Sequence, residues 1–155
     1  MPELTEKEKV TNFETMRHIE KVRNYLNEVI REILCRQEDH DQSKLENPEV
    51  QAFTEYTDRL ANTTYGSPEY EDCKKAMAPA LAHHYANNSH HPEYYKNGID
   101  DMNLIDLIEM LCDWKAASER HNDGNIRKSI EINGKRFNMN SQLIRIFENT
   151  VDTLF

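Results

Sequence analysis

No apolar run in this 155-residue chain approaches the ~20 residues that a membrane-spanning helix needs. The N-terminal stretch from Met1 to Glu6 has neither the basic start nor the apolar segment of a secretory signal, so the expected location is the cytoplasm. Basic residues are outnumbered by acidic ones, 19 to 28. The net charge of −9 argues against a general nucleic-acid or anionic-membrane surface. Polymeric nucleic acid is therefore not the expected partner, and phosphate recognition would need local cations or a bound metal. Cysteine is limited to Cys35, Cys73 and Cys112, odd in number and without a C-x-x-C pair. They are expected to be reduced, buried thiols. There is no internal repeat, linker or low-complexity segment, and the length fits one domain spanning 1–155.

The apolar residues that are present recur mostly at helical spacing. From about Thr5 to Gln37, Met16, Ile19, Val22, Leu26, Val29, Ile30 and Ile33 form one stripe, with His18 close enough to its centre to point inward. Further helices are expected at Glu49 to Leu60 and at Pro68 to Tyr85, the latter kinked or broken at Pro79. Asn103 to Arg120 is apolar nearly all round and reads as a central, buried helix. Its carboxylates Asp106, Glu109 and Asp113 are spaced by three and four and share one face, where they need partners. Ser129 to Ile132 and Arg136 to Asn138 flank Asn133-Gly134, a hairpin signal. Ser141 to Leu154 reads as a final amphipathic helix. The expected fold class is all-α with one small β-hairpin, the segment 121–155 adding that hairpin and a C-terminal helix to the core.

Histidine carries the chemistry. Six of the seven histidines lie in His18, His40, His83-His84 and His90-His91, and Asp41 follows His40 directly. With Asp113 downstream, this is an ordered set of imidazole and carboxylate donors, the ligands that suit Zn, Mn and Fe. Each member also has an ordinary structural explanation. His18 can be a packed core residue, His40-Asp41 a loop and helix cap, and Asp113 a buried carboxylate held by hydrogen bonds. Asp106 and Glu109 can orient ligands rather than bind an ion. His121 reads as a surface loop residue, and Lys128, Lys135 and Arg136 as solvated.

The order His18, His40-Asp41, histidine cluster, Asp113 resembles the HD-domain superfamily of metal-dependent phosphohydrolases. Met16 to Val22 is similar to that superfamily's first helix. His40-Asp41-Gln42-Ser43-Lys44 is similar to its H-D-x-G-K form, with Ser43 in place of glycine. The stretch from His90-His91-Pro92-Glu93 through Asn97-Gly98 to Asp113-Trp114-Lys115-Ala116 is similar to the HD-GYP subgroup's path from double histidine to metal aspartate. The Gly-Tyr-Pro itself is missing, so cyclic-dinucleotide specificity does not carry over. The pair His83-His84 also lies closer to the next pair than in that subgroup. Nearly the full length, including Arg120 to Thr150, resembles a small family of phage and bacterial proteins of unassigned function, which brings no activity with it.

The HD resemblance implies an HD-like helical bundle and a cofactor of one or two divalent ions (Mn, Fe, Zn or Mg). It implies hydrolysis of a small nucleotide or related phosphoester by metal-activated water. His18, His40, Asp41 and Asp113 can hold one ion. His84, His90 and His91 can hold a second, bridged through Asp41, with the choice between His83 and His84 open. Lys44 would neutralise a phosphate oxygen, and Glu93 or Glu109 would orient or deprotonate water. Tyr94 and Lys115 are candidates for substrate contact. The alternatives are an HD-type di-iron oxygenase and a non-catalytic module that binds a nucleotide or a partner. Oligomeric state stays open.

Overall fold

The computed structural model describes residues 3–63, 67–120 and 124–155. The described residues form helices α1 (Glu6–Asp39), α2 (Glu49–Asn62), α3 (Pro68–Asn87), α4 (Leu104–Ser118), α5 (Ile126–Arg136) and α6 (Ser141–Leu154). Short 3-10 turns lie at Gln42–Leu45, Pro92–Tyr94 and Gly98–Asp101. Among the described residues there is no strand, and the all-α class holds. The chain separates into two compact units, Met1–Glu38 and Asp39–Phe155.

The first unit is almost entirely α1. Thr5 and Glu8 form a capping box: the Thr5 N–H donates to Glu8 Oε2 at 2.7 Å and the Glu8 N–H to Thr5 Oγ1 at 3.3 Å. Along the helix, Glu14–Arg17, Glu20–Arg23, Glu28–Arg31 and Glu32–Arg36 pair at three- or four-residue spacing. Each such exposed pair contributes roughly 0.2–0.5 kcal/mol. The apolar stripe is present, but α1 has no buried residue, and His18 is exposed rather than turned into a core.

The second unit is built around α4. Its residues divide among three faces. Leu107, Met110, Leu111 and Trp114 face a core completed by Ile130 of α5, Met139, and Phe147 and Val151 of α6. Trp114 stacks on Phe137 and meets Phe147 edge-on. A second face carries Asp106, Glu109 and Asp113. The third exposes Leu104, Ile108 and Cys112, so α4 is not buried all round as its composition suggested; Leu104 is 77% exposed. Cys35 is exposed too, and all three thiols are free.

The expected hairpin at Asn133-Gly134 is a helix. Asn125 caps α5 by accepting from the Arg127 and Lys128 N–H groups. Gly134 is buried in the helix, where an added Cβ would lie 3.1 Å from Ile144 Cδ1 of α6. Its lack of a side chain serves a close helix–helix approach, not a turn. The left-handed residue is Asn138, φ 50°. It ends α5 in a Schellman arrangement, with Met139 N–H donating to the Gly134 carbonyl at 2.8 Å. Pro79 does not break α3, which runs on to Asn87, with Met77 and Ala80 buried on either side of it. No helix among the described residues is long and apolar enough to cross a membrane. His121 lies outside the described residues.

Ile130 is the side chain that ties α5 to α4 and α6, and it is 1% exposed. Ile130→Ala is expected to cost about 2–5 kcal/mol of unfolding free energy, from lost burial plus the cavity left behind. Urea unfolding followed by circular dichroism measures it. A cost near zero would mean that α5 is not part of this core.

Candidate metal centre

Four short stretches bring the site together. The first is His40-Asp41. Asp41 has φ 56° and ψ 14°, the left-handed region that aspartate enters more readily than most residues. That conformation starts the turn Gln42–Leu45, with Lys44 N–H donating to the Asp41 carbonyl at 2.9 Å. The second is the C-terminal end of α3, which carries His83 and His84. The third is the loop Asn88 to His91. The fourth is the acidic face of α4. Asp106 ties the last two together. Its side chain accepts from Asn103 N–H in a capping box, from Ser89 Oγ at 2.9 Å and from Tyr95 Oη at 2.6 Å.

Two carboxylates set the direction of the imidazoles. Glu109 Oε1 lies 2.8 Å from His40 Nδ1 and 3.0 Å from His90 Nδ1. Burial opposes ionisation of Glu109, but the bonds to these two rings outweigh it and hold its carboxyl well below the usual range. An ionised carboxylate can only accept, so each Nδ1 carries the proton. Glu49, 0% exposed, does the same on the other side. It lies 2.7 Å from His83 Nδ1 and 2.9 Å from His84 Nδ1. Burial again opposes its ionisation, and the bonds from His83, Ser43 and His84 bring its pKa below normal. With Nδ1 protonated, the Nε2 atoms of His40, His84 and His90 are left as lone-pair donors. The carboxylate–imidazole arrangement is the one that orients histidine ligands in metal sites.

Those Nε2 atoms converge. Asp41 Oδ1 lies 3.5 Å from His84 Nε2 and 3.6 Å from His90 Nε2. His84 Nε2 and His91 Nε2 are 2.9 Å apart. Burial, then the neighbouring rings of His90 and His84, push His91 down to about 3, so it stays neutral. Burial, with Lys44 second, also lowers His84, whereas the bond to Glu109 raises His40 against burial. Asp41 Oδ1 and His90 Nε2 are buried without a hydrogen-bond partner. Two facing acceptors left unsatisfied cost about 1–3 kcal/mol each, and a cation between them removes both penalties. Asp41, His84, His90 and His91 can thus hold a metal ion, their donor atoms lying within 4.8 Å of one another. His40, Asp41 and Asp113 form a second, smaller group of the same kind. Three imidazoles and a carboxylate suit Zn, Mn or Fe. Such a centre can polarise a bound anion and acidify water.

Residues 7–153 match a family described as a family of unknown function, DUF5662. The chain belongs to that family. No curated protein and no solved structure matches it.

In this DUF5662 chain, the expected ligands His40, Asp41, His84, His90, His91 and Asp113 all fall in these two groups. His18 is in neither; it lies in the first unit. Of the adjacent pair, His84 is 2% exposed and faces the site, while His83 is exposed and bonds Glu49. Lys44 sits on Asp41 Oδ2 at 2.5 Å. That bond, with the Lys44 charge, outweighs burial and lowers the Asp41 pKa. Glu93 is engaged by Arg136 at 2.7 Å, and Lys115 pairs with Glu119 beside the Phe155 ring. Tyr94 is exposed, its ring against Tyr95. Sequence reasoning missed Glu49, which reads as an ordinary helix-start acid, and Asn88. Asn88 Nδ2 donates to Ser43 Oγ at 2.8 Å, and Ser43 Oγ donates to Glu49 Oε2 at 3.1 Å. The Ser43 hydroxyl therefore belongs to the support beneath His84.

Glu109→Gln keeps the size of the side chain but offers one acceptor in place of a charged oxygen shared by two rings. Divalent-ion affinity is expected to fall about 10–100-fold, the usual effect of removing such an orienting group. Isothermal titration calorimetry against wild type checks it. Unchanged affinity would remove Glu109 from the site's support.

Proposed function

We propose that this chain is a metal-dependent phosphohydrolase of the HD type, acting in the cytoplasm on a small nucleotide or related phosphoester. One observation carries the reading. Three imidazoles and Asp41 converge on one point with two buried, unpartnered acceptor atoms, and a lysine stands beside them. The motif order from His40 to Asp113, similar to HD phosphohydrolases, supports the choice of reaction. The net charge of −9 favours a small substrate over a nucleic-acid polymer.

One or two divalent ions (Mn, Fe, Zn or Mg), when bound, would supply charge stabilisation at a phosphoryl oxygen and an acidified water. The chain's own groups do the rest. His84, His90, His91 and Asp41 hold the charge in place. Glu49 and Glu109 keep the rings in one tautomer and one orientation, so no reorganisation is needed during reaction. Lys44 adds a fixed positive charge next to Asp41, available to an anionic substrate. The exposed ring of Tyr94 offers a face on which a base can stack. The same imidazole-rich donor set also suits iron, which keeps the oxygenase as the second reading.

Protein stripped with chelator, then supplied with Mn, is expected to release phosphate from at least one member of a panel of nucleotides and simple phosphoesters. His90→Ala should lower the rate about a hundredfold or more, since it removes a donor to the ion. Ion binding without turnover on any substrate would overturn the hydrolase reading. Iron retention with oxygen consumption would replace it with the oxygenase.

A further inference from the structure

We propose that Lys44 is the resident second cation of this centre, so that the chain holds a single divalent ion tightly and closes the neighbouring ion position with its own ammonium group. The inference rests on the metal-centre reading above and concerns how many ions that centre takes. It comes from the division of labour between the two oxygens of Asp41. Oδ1 is buried, has no hydrogen-bond partner, and faces the Nε2 atoms of His84 and His90 at 3.5 and 3.6 Å. Oδ2 is already occupied: Lys44 Nζ sits 2.5 Å from it.

The two ion positions are therefore unlike. The first has four donors, Asp41 Oδ1 and three imidazoles, with His84 and His90 buried. The second has three, His40, Asp41 and Asp113, and the Asp41 oxygen that faces His40 Nε2, at 3.6 Å, is Oδ2. A divalent ion entering there meets an ammonium on the same oxygen. Two cations a few ångströms apart repel one another, and the partial burial of Asp41 and Lys44 makes that repulsion stronger than in open solvent.

Lys44 is placed there by the backbone rather than by chance contact. It lies three residues after Asp41 in the 3-10 turn Gln42–Leu45, and its N–H bonds the Asp41 carbonyl. Its ammonium lies 5.7 Å from the centre of the Phe53 ring, a cation–π distance that favours a charged group at this spot. The spacing of Lys44 from Asp41 thus has a consequence beyond substrate: it converts a bridging carboxylate, able to join two ions, into one that serves an ion on one oxygen and an ammonium on the other.

The test is ion counting, not turnover. Wild-type protein, Lys44→Met and Lys44→Arg are titrated with Mn by calorimetry, and the Mn-loaded forms are examined by electron paramagnetic resonance. Wild type and Lys44→Arg are expected to bind one ion tightly and to show an isolated Mn signal. In Lys44→Met the second ion should bind about tenfold or more tighter than in wild type, because the competing charge is gone, and a coupled two-Mn signal should appear. Two ions of comparable affinity in wild type, or a Lys44→Met protein that still takes one, would overturn the proposal. Asp113→Asn supplies a second arm if Lys44→Met does not fold. It should leave the tight ion in place, and loss of that ion would also overturn the assignment. Wild type that binds no ion at all refutes the metal centre itself, a different failure from the wrong count.

Discussion

Two carboxylates, the buried Glu49 and the partly buried Glu109, are the constraint on which the rest of the site depends. Removing a carboxylate from water costs several kcal/mol unless hydrogen bonds replace the lost solvation. Here the replacement comes from histidine Nδ1–H groups, two on each carboxylate. That choice of partner has a directional consequence. An imidazole that donates from Nδ1 must present Nε2 on its far side, so the groups that neutralise these acids also aim three lone pairs at Asp41.

The fold supplies the rigidity this requires. Glu109 projects from α4, the same helix whose other face packs Met110, Leu111 and Trp114 against α5 and α6. Moving Glu109 means moving the core. Asp106, one turn earlier, fastens the loop that carries His90 and His91 through Ser89, Tyr95 and the α4 cap. Glu49 opens α2, and α2 packs along α3, which carries His84. Each donor is thus tied to a helix within the second unit, and the left-handed turn at Asp41 is the one locally strained element among them.

Charge explains why such a cluster calls for a cation. Asp41, Glu49, Glu109 and Asp113 bring four carboxylates to the centre, and Lys44 is the ammonium placed among them. Neutral imidazoles, such as His91, do not offset the difference. A divalent ion at the four-donor position does, and it satisfies the two orphaned acceptors in the same step. The pairing of Lys44 with Asp41 Oδ2 leaves Oδ1 as the carboxylate oxygen without a hydrogen-bond partner.

Local chemistry determined much of this protein directly. The helical periods of α1, α2 and α6, the capping residue before α4, and the inventory of His40, Asp41, the pair His83-His84, His90, His91 and Asp113 all follow from residue type and spacing, which act over a few residues. Tertiary contacts decided what spacing cannot express. Gly134 reads as a turn in the chain and is a helix-packing glycine because Ile144 lies against it. His84 rather than His83 faces the site because the packing around the end of α3 buries it and leaves His83 exposed, although Glu49 accepts from both rings. Glu109 supports two histidines, and Lys44 takes one oxygen of Asp41, because α4 and the turn after Asp41 meet in space. Sequence determines which groups can donate, accept or carry charge. Only the packed structure determines which of them are deprived of water, and therefore which must find one another.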